Sequence, residues 1–273
     1  MSSTAEVAAE ESAPATGAWL HAVVRHVEPA TLAGLAGMGG APVRAVAGAG
    51  LVAVVSPAPL DEYGEEPLRH HLEDLAWLER AARAHHAVVD ALARQGPVVP
   101  ARLATVHTDD ERVATSLAAR RAELSATLTR LTGRGEWGVK GYLMPGAPVE
   151  STAAQDGGGV GTAYLRRRRA QLTARDERQQ VASAAADAVH GALCEVAVAG
   201  RRHAPQDRRL SGASTPMALN GAYLVDVAAL RRFTDLVDSL GDRHPGLRLE
   251  LTGPWPAYSF VAERPAGAAG EPR

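Results

Sequence analysis

MALNGAYLVDVAALRRFTDLVDSLGDRHPGLRLELT, residues 217–252, writes out a strand, a helix and a second strand. Met217–Val225 is a mainly apolar run of strand length. Asp226 stands where a helix N-cap would, and Val227, Leu230, Phe233, Leu236 and Leu240 then recur at helical spacing. Pro245-Gly246 turns the chain. Leu247, Leu249 and Leu251 alternate with Arg248, Glu250 and Thr252, the period of two expected of a strand with one buried face. A helix joining two strands implies parallel or mixed neighbours in one sheet.

The preceding residues extend the pattern. Trp137, Val139, Gly141 and Leu143 alternate with Glu136, Lys140 and Tyr142, which predicts a strand. Residues 145–161 are rich in Pro and Gly and predict a loop. A long helical stretch is predicted from Thr162 to Arg202, with Val181, Ala185, Val189, Ala192, Leu193 and Val196 as its apolar positions and Pro205 as its stop. The second half thus reads β-α-β-α-β, which resembles part of a ferredoxin-like fold.

The first half reads β-β-β-α-β-α. Trp19–Arg25 predicts a strand. Val43–Ala47 and Leu51–Val55 flank Gly48-Ala49-Gly50 and predict a hairpin that Pro57 and Pro59 end. A single helix is expected from Pro67 to Gly96, built on Leu68, Leu72, Leu75, Ala82, Val89 and Leu92. Val98–Val106 is β-prone, with Pro100 pointing to an edge or bulge. Thr108 and Glu111 fit a capping box for a helix carrying Val113, Leu117, Leu124, Leu128 and Leu131.

Composition narrows the function. The chain has 273 residues, 46% of them hydrophobic and 4% aromatic, enough for a core that draws on Ala, Val and Leu. Net charge is −2, so no overall field attracts nucleic acid. Cys194 is the only cysteine, which excludes an intrachain disulfide and fits a reducing, cytoplasmic setting. Residues 1–16 are small, acidic and unpatterned, and predict a disordered tail without the apolar core of a signal peptide. No apolar run reaches the roughly 18 residues of a membrane span.

Motifs for chemistry are weak. His70/Asp74 and His86/Asp90 are i,i+4 pairs on the expected helix, but about 20 Å separates them, too far to share an ion. With His71 and His85 they are expected on solvated helix surface. Gly157–Gly161 precedes a helix, yet the Lys-Ser/Thr of a phosphate-binding loop is missing: Thr162-Ala163 follows. Arg166, Arg167, Arg168 and Arg169 spread around a helix instead of forming a stripe, which suits a solvated helix or docking onto an acidic partner better than nucleic acid. Cys194 is expected to be buried among apolar neighbours and inert. No catalytic, cofactor-binding or metal-ligating residue is expected. Gly253–Phe260, GPWPAYSF, is different. Its two prolines should keep it out of a central ladder, and Trp255, Pro256, Tyr258 and Phe260 should pack on a surface, either capping the sheet or docking another protein.

LTGPWPAYSF closely resembles the C-terminal signature of gas vesicle proteins L and F. Residues 62–92, PVVPARLATV (97–106), EWGVKGY (136–142), GTAYLRRRRAQL (161–172) and MALNGAYLVD (217–226) resemble family segments in family order, so the likeness covers about residues 18–262. The chain departs at Ala257, where a second Pro is usual, and at Ala101 and Gly141, where larger residues are common. The resemblance implies an α/β protein of the α+β type. It would comprise a disordered tail (1–16), an N-terminal mixed α/β domain (17–134), a C-terminal modified ferredoxin-like domain (135–252) and an aromatic, Pro-rich tail (253–273). It further implies an accessory protein in gas vesicle assembly that is not an enzyme, contacting the hydrophobic shell protein and other vesicle proteins, with Trp255, Pro256, Tyr258, Phe260 and Arg166–Arg169 as interface candidates. The alternative is a small-molecule enzyme whose ferredoxin-like domain holds an anion or nucleotide with the glycine loop and the arginines.

Overall fold

The computed structural model describes residues 15–144, 160–206 and 215–261. The chain divides into two compact units, residues 1–132 and 133–273. The tail predicted over 1–16 lies outside the described residues as far as position 14. The glycine loop lies outside them at 157–159.

In the first unit β1 (Thr16–Val24) is the centre of an antiparallel sheet. It pairs with β3 (Leu51–Pro59), which pairs in turn with β2 (Arg44–Gly48). On its other side β1 meets two short strands, β4 (Val99–Pro100) and β5 (Val106–His107). The hairpin turn is tighter than its Gly-Ala-Gly suggested. Gly48 pairs with Leu51, and Ala49 and Gly50 both take positive φ, 52° and 75°, the form whose twist matches the strands. Pro57 and Pro59 do not end β3. Two residues apart, they share one side of the strand, while Leu60 N–H bonds Ala15 on the β1 side. β2 pairs only with Leu51–Val55, so both ring nitrogens lie where no ladder bond is needed.

The long helix expected over 67–96 is broken. Short helices α1 (Pro29–Leu32), α2 (Leu60–Tyr63) and α3 (Glu65–His71) precede α4 (Leu75–Ala93). Asp74 caps α4 by accepting from the N–H groups of Ala76 and Trp77, which starts a new axis there. Leu72 and Leu75 consequently face solvent, Leu75 at 79% exposure. The buried face of α4 is Trp77, Ala81, His85, Val88, Val89 and Leu92. The next helix, α5 (Asp110–Ala119), is capped by Asp109, one residue beyond the expected Thr108: its carboxylate accepts from Arg112 N–H at 2.7 Å. α6 (Arg121–Leu131) follows.

In the second unit β6 (Arg134–Leu143) leads into α7 (Val160–Val196), β7 (Ala199–Arg202), β8 (Met217–Asp226), α8 (Leu230–Arg243) and β9 (Leu247–Trp255). The helix predicted to Arg202 stops at Val196 because Ala199–Arg202 forms an edge strand. With that strand the order is β-α-β-β-α-β and the sheet runs β7-β8-β6-β9, antiparallel throughout. This is the split βαβ arrangement of ferredoxin-like folds: each crossover returns a parallel strand, but another strand sits between the two. The expected parallel or mixed neighbours are absent among the described residues because Ala199–Arg202 is an added strand, where the sequence suggests the end of a helix. Asp226 does not cap α8; its carboxylate takes Arg134 Nε across the ladder at 2.8 Å.

α7 and α8 cover one face of this sheet. Ala182, Ala186, Val189 and Leu193 of α7 pack with Phe233, Val237 and Leu240 of α8 on Val139, Leu219, Tyr223 and Val225. Val181 is exposed, so the buried stripe is rotated from the one the sequence suggested. Both units combine antiparallel sheets with separate helices, the α+β class. Among the described residues no helix is long and apolar enough to cross a membrane.

Two imidazoles lie in the first unit's core. Trp19 Nε1–H donates to His85 Nδ1 at 3.1 Å, leaving His85 Nε2 to donate to Ala101 O at 3.2 Å. His21 Nε2 is 3.0 Å from Ser56 Oγ, and its buried Nδ1 has no partner. Burial, with a smaller push from His85, lowers the pKa of His21 to about 3; burial lowers that of His85 to about 4. Both titrate near 6.5 when unfolded, so between those values the unfolded chain binds the extra protons. Stability contributed by these neutral rings is complete above about pH 6.5 and drains as pH falls. The melting temperature of this unit should therefore drop between pH 7 and pH 5, where surface carboxylates remain ionised, and His21→Leu should flatten the drop. A melting temperature constant over that range would contradict the assignment.

Candidate docking surface

The sheet face turned away from α7 and α8 is built from cross-strand rows. One row is Ala199, Leu224, Glu136 and Trp255; the next is Arg201, Ala222, Gly138 and Thr252. Small side chains at Ala199, Ala222 and Gly138 leave a shallow trough. Gly138 leaves room here: a Cβ would lie 2.8 Å from Thr252 Oγ1.

The C-terminal segment folds into this trough. As its prolines require, the segment stays out of a central ladder: β9 is an edge strand, and it runs through cis-Pro254 to Trp255 with a bulge opposite Trp137. Gly253 sits at φ +131°, which other residues adopt only with strain. Beyond it Pro256, Ala257 and Phe260 are buried.

The segment is pinned by polar contacts. Ser259 N–H donates to Glu136 Oε2 at 2.9 Å and Ser259 Oγ to Oε1 at 2.7 Å, while His203 Nε2 lies 3.2 Å from the same hydroxyl. The Arg201 guanidinium is 5.6 Å from the centre of the Phe260 ring. Burial raises the Glu136 pKa, opposed by the Ser259 bonds and by Arg201. The outward residues are Trp255, 46% exposed, and Tyr258, 37% exposed. Trp255 is oriented by donation from Nε1 to Thr252 Oγ1 at 3.2 Å.

The four aromatic-tail candidates therefore divide: Pro256 and Phe260 are internal packing, and Trp255 and Tyr258 face out. Arg168 and Arg169 are exposed on α7, and the side chains of Arg166 and Arg167 lie outside the described residues. The sequence missed Glu136, Ser259 and His203. Glu136 had the spacing of a solvent-facing strand residue, and only the returning segment buries it.

Other candidates fare differently. Of the histidines expected on helix surface, His85 is core. Among the described residues no three His, Cys, Asp or Glu side chains group as for a metal ion. Cys194 Sγ lies 3.7 Å from His190 Nε2, and His190 Nδ1 is 2.8 Å from the Tyr223 hydroxyl. Burial raises the thiol and lowers the imidazole, which keeps both neutral, the reverse of an activated pair.

The family model described as Gas vesicle synthesis protein GvpL/GvpF matches residues 17–262. The chain belongs to this family. It is 44% identical over 246 residues to gas vesicle protein L of Streptomyces sp. (strain CB03234), covering 89% of this chain and 92% of that one. Identity to gas vesicle protein F of the same strain is 26% over 250 residues, covering 89% and 98%. The fold matches the crystal structures of GvpF from Anabaena sp. PCC7120 (TM-score 0.64, 19% identity, 91% of this chain and 97% of that one) and from Microcystis aeruginosa (TM-score 0.60, 16% identity, 90% and 99%).

If Glu136 pins the segment, Glu136→Ala should speed amide exchange over residues 256–261 about tenfold or more, since each bond to a charged acceptor contributes about 1.5–3 kcal/mol. Exchange in β8 and the buried part of α7 should stay unchanged. Equal acceleration in all three would show a general loss of stability instead.

Proposed function

We propose that this chain is a non-enzymatic accessory protein of gas vesicle assembly that holds the hydrophobic shell protein, and other vesicle proteins, through its C-terminal segment. The observation carrying this reading is the outward pair Trp255 and Tyr258 on a segment fixed from beneath by Ser259, Glu136 and Phe260. Aromatic rings held in place contribute contact area with little loss of conformational entropy, which is why they concentrate at interfaces. A shell subunit with a water-repelling face aggregates unless that face is covered before assembly. The place of action on this reading is the cytoplasm and the growing vesicle. Arg166–Arg169, on the N-terminal half of α7, would supply a second contact to an acidic surface.

Pull-down with the shell protein tests this. Trp255→Ala with Tyr258→Ala should weaken capture by about 2 kcal/mol, roughly thirtyfold, with only a small fall in melting temperature, because neither side chain belongs to the buried core. Undiminished capture after deletion of residues 253–262 would remove the segment from the mechanism.

A further inference from the structure

β9 is the last strand of its sheet, and among the described residues nothing pairs with its outer side. Its stretch Leu247–Thr252 precedes the proline and the bulge, and its core-side leucines are incompletely covered: Leu247 is buried, but Leu249 and Leu251 are only half-buried. On the opposite face Arg248 stacks over Tyr142 at 4.8 Å and pairs with Glu250, and both remain about half exposed. Edges are kept from associating by charged side chains, above all Lys, by proline, by bulges, by short length or by a covering element. This edge carries one charge of each sign, two residues apart, with its proline set beyond the segment 247–252.

We infer that β9 pairs antiparallel with β9 of a second copy of this chain, about a two-fold axis through Leu249. The sequence of the edge is complementary to itself in that register. Leu249 faces Leu249, Leu247 faces Leu251, and Arg248 faces Glu250 twice, once on each side of the axis. Pairing by one residue more or less turns leucines toward the charged face. The two sheets become one eight-stranded sheet with an isologous interface. The half-buried leucines of both copies gain further cover, and opposite charges meet at cross-strand distance. The occupant is a second copy because no outside partner is needed to satisfy both the charges and the leucines. The contact is short, so the dimer is a concentration-dependent one. It uses neither Trp255 nor Tyr258 and stands or falls apart from the shell-protein reading.

Sedimentation velocity of the full chain, over a wide concentration range, reads the monomer–dimer balance. R248E and E250R each set like charges opposite one another in this register. Each should weaken self-association at least tenfold when studied alone. Mixed in equal amounts, the two variants should associate again, because each then meets the opposite sign; the charge pair inside one chain cannot produce that rescue. Leu249→Cys in a Cys194→Ser background should cross-link on oxidation, whereas Leu251→Cys should not, since it opposes residue 247. A wild-type chain that stays monomeric at every concentration, or variants that do not re-associate on mixing, overturns the proposal. A cross-link at residue 251 in place of 249 overturns the register.

Discussion

A sheet with helices on one face must do something with the other, and in the second unit that face is answered by the chain itself. Glu136 makes this possible. Its position on β6 points a carboxylate at the helix-free side, where water would normally solvate it. The segment after β9 returns over it, and two donors from a single residue, Ser259, replace that water. A buried carboxylate without donors costs several kcal/mol, so the segment and the carboxylate depend on one another. Tyr258 owes its outward position to this bond pair and to Phe260, and Trp255 to its place on β9 and its bond to Thr252.

The two units solve the same problem differently. In the first, a chain poor in aromatics gathers Trp19, Tyr63 and Trp77 into one cluster and sets His85 against Trp19 as a hydrogen-bond partner. The cluster forms because α3 and α4 are separate helices. An uninterrupted rod over the same residues would keep Leu72 and Leu75 in its buried stripe, where Trp77, Ala81 and His85 now lie. In the second, Tyr223 and Phe233 are the large buried rings, and Ala182 and Ala186 let α7 come close to the sheet.

Much of this was legible in the sequence, for physical reasons that also mark where legibility ended. Strict alternation in Leu247–Thr252 and Glu136–Leu143 reports a sheet with two unlike faces, and both strands are there. Ala199–Arg202 has no alternation and follows a strongly helical run, so its four residues passed as the helix end; only pairing with β8 makes them a strand. Pro57 and Pro59 suggest a strand end because a proline forbids a ladder bond, but both lie where β3 has a neighbour on one side only, a fact about topology. Asp74 caps a helix inside what looked like an unbroken stripe, since caps compete with periodicity on equal terms. The aromatic tail was visible as a surface element. Its anchor was not, because Glu136 and Ser259 are 123 residues apart.

The placement of the tryptophans has an optical consequence. The chain has four, and each unit holds two. Trp19 and Trp77 are buried, with ring centres 6.4 Å apart, so they report together on the interior of the first unit. Trp137 is half-buried against the second core, and Trp255 is 46% exposed on the opposite face of the sheet. Intrinsic fluorescence can therefore follow the two units without any added label: a blue-shifted component extinguished when the N-terminal interior opens, and a red-shifted one that moves when something settles over the far end of the chain.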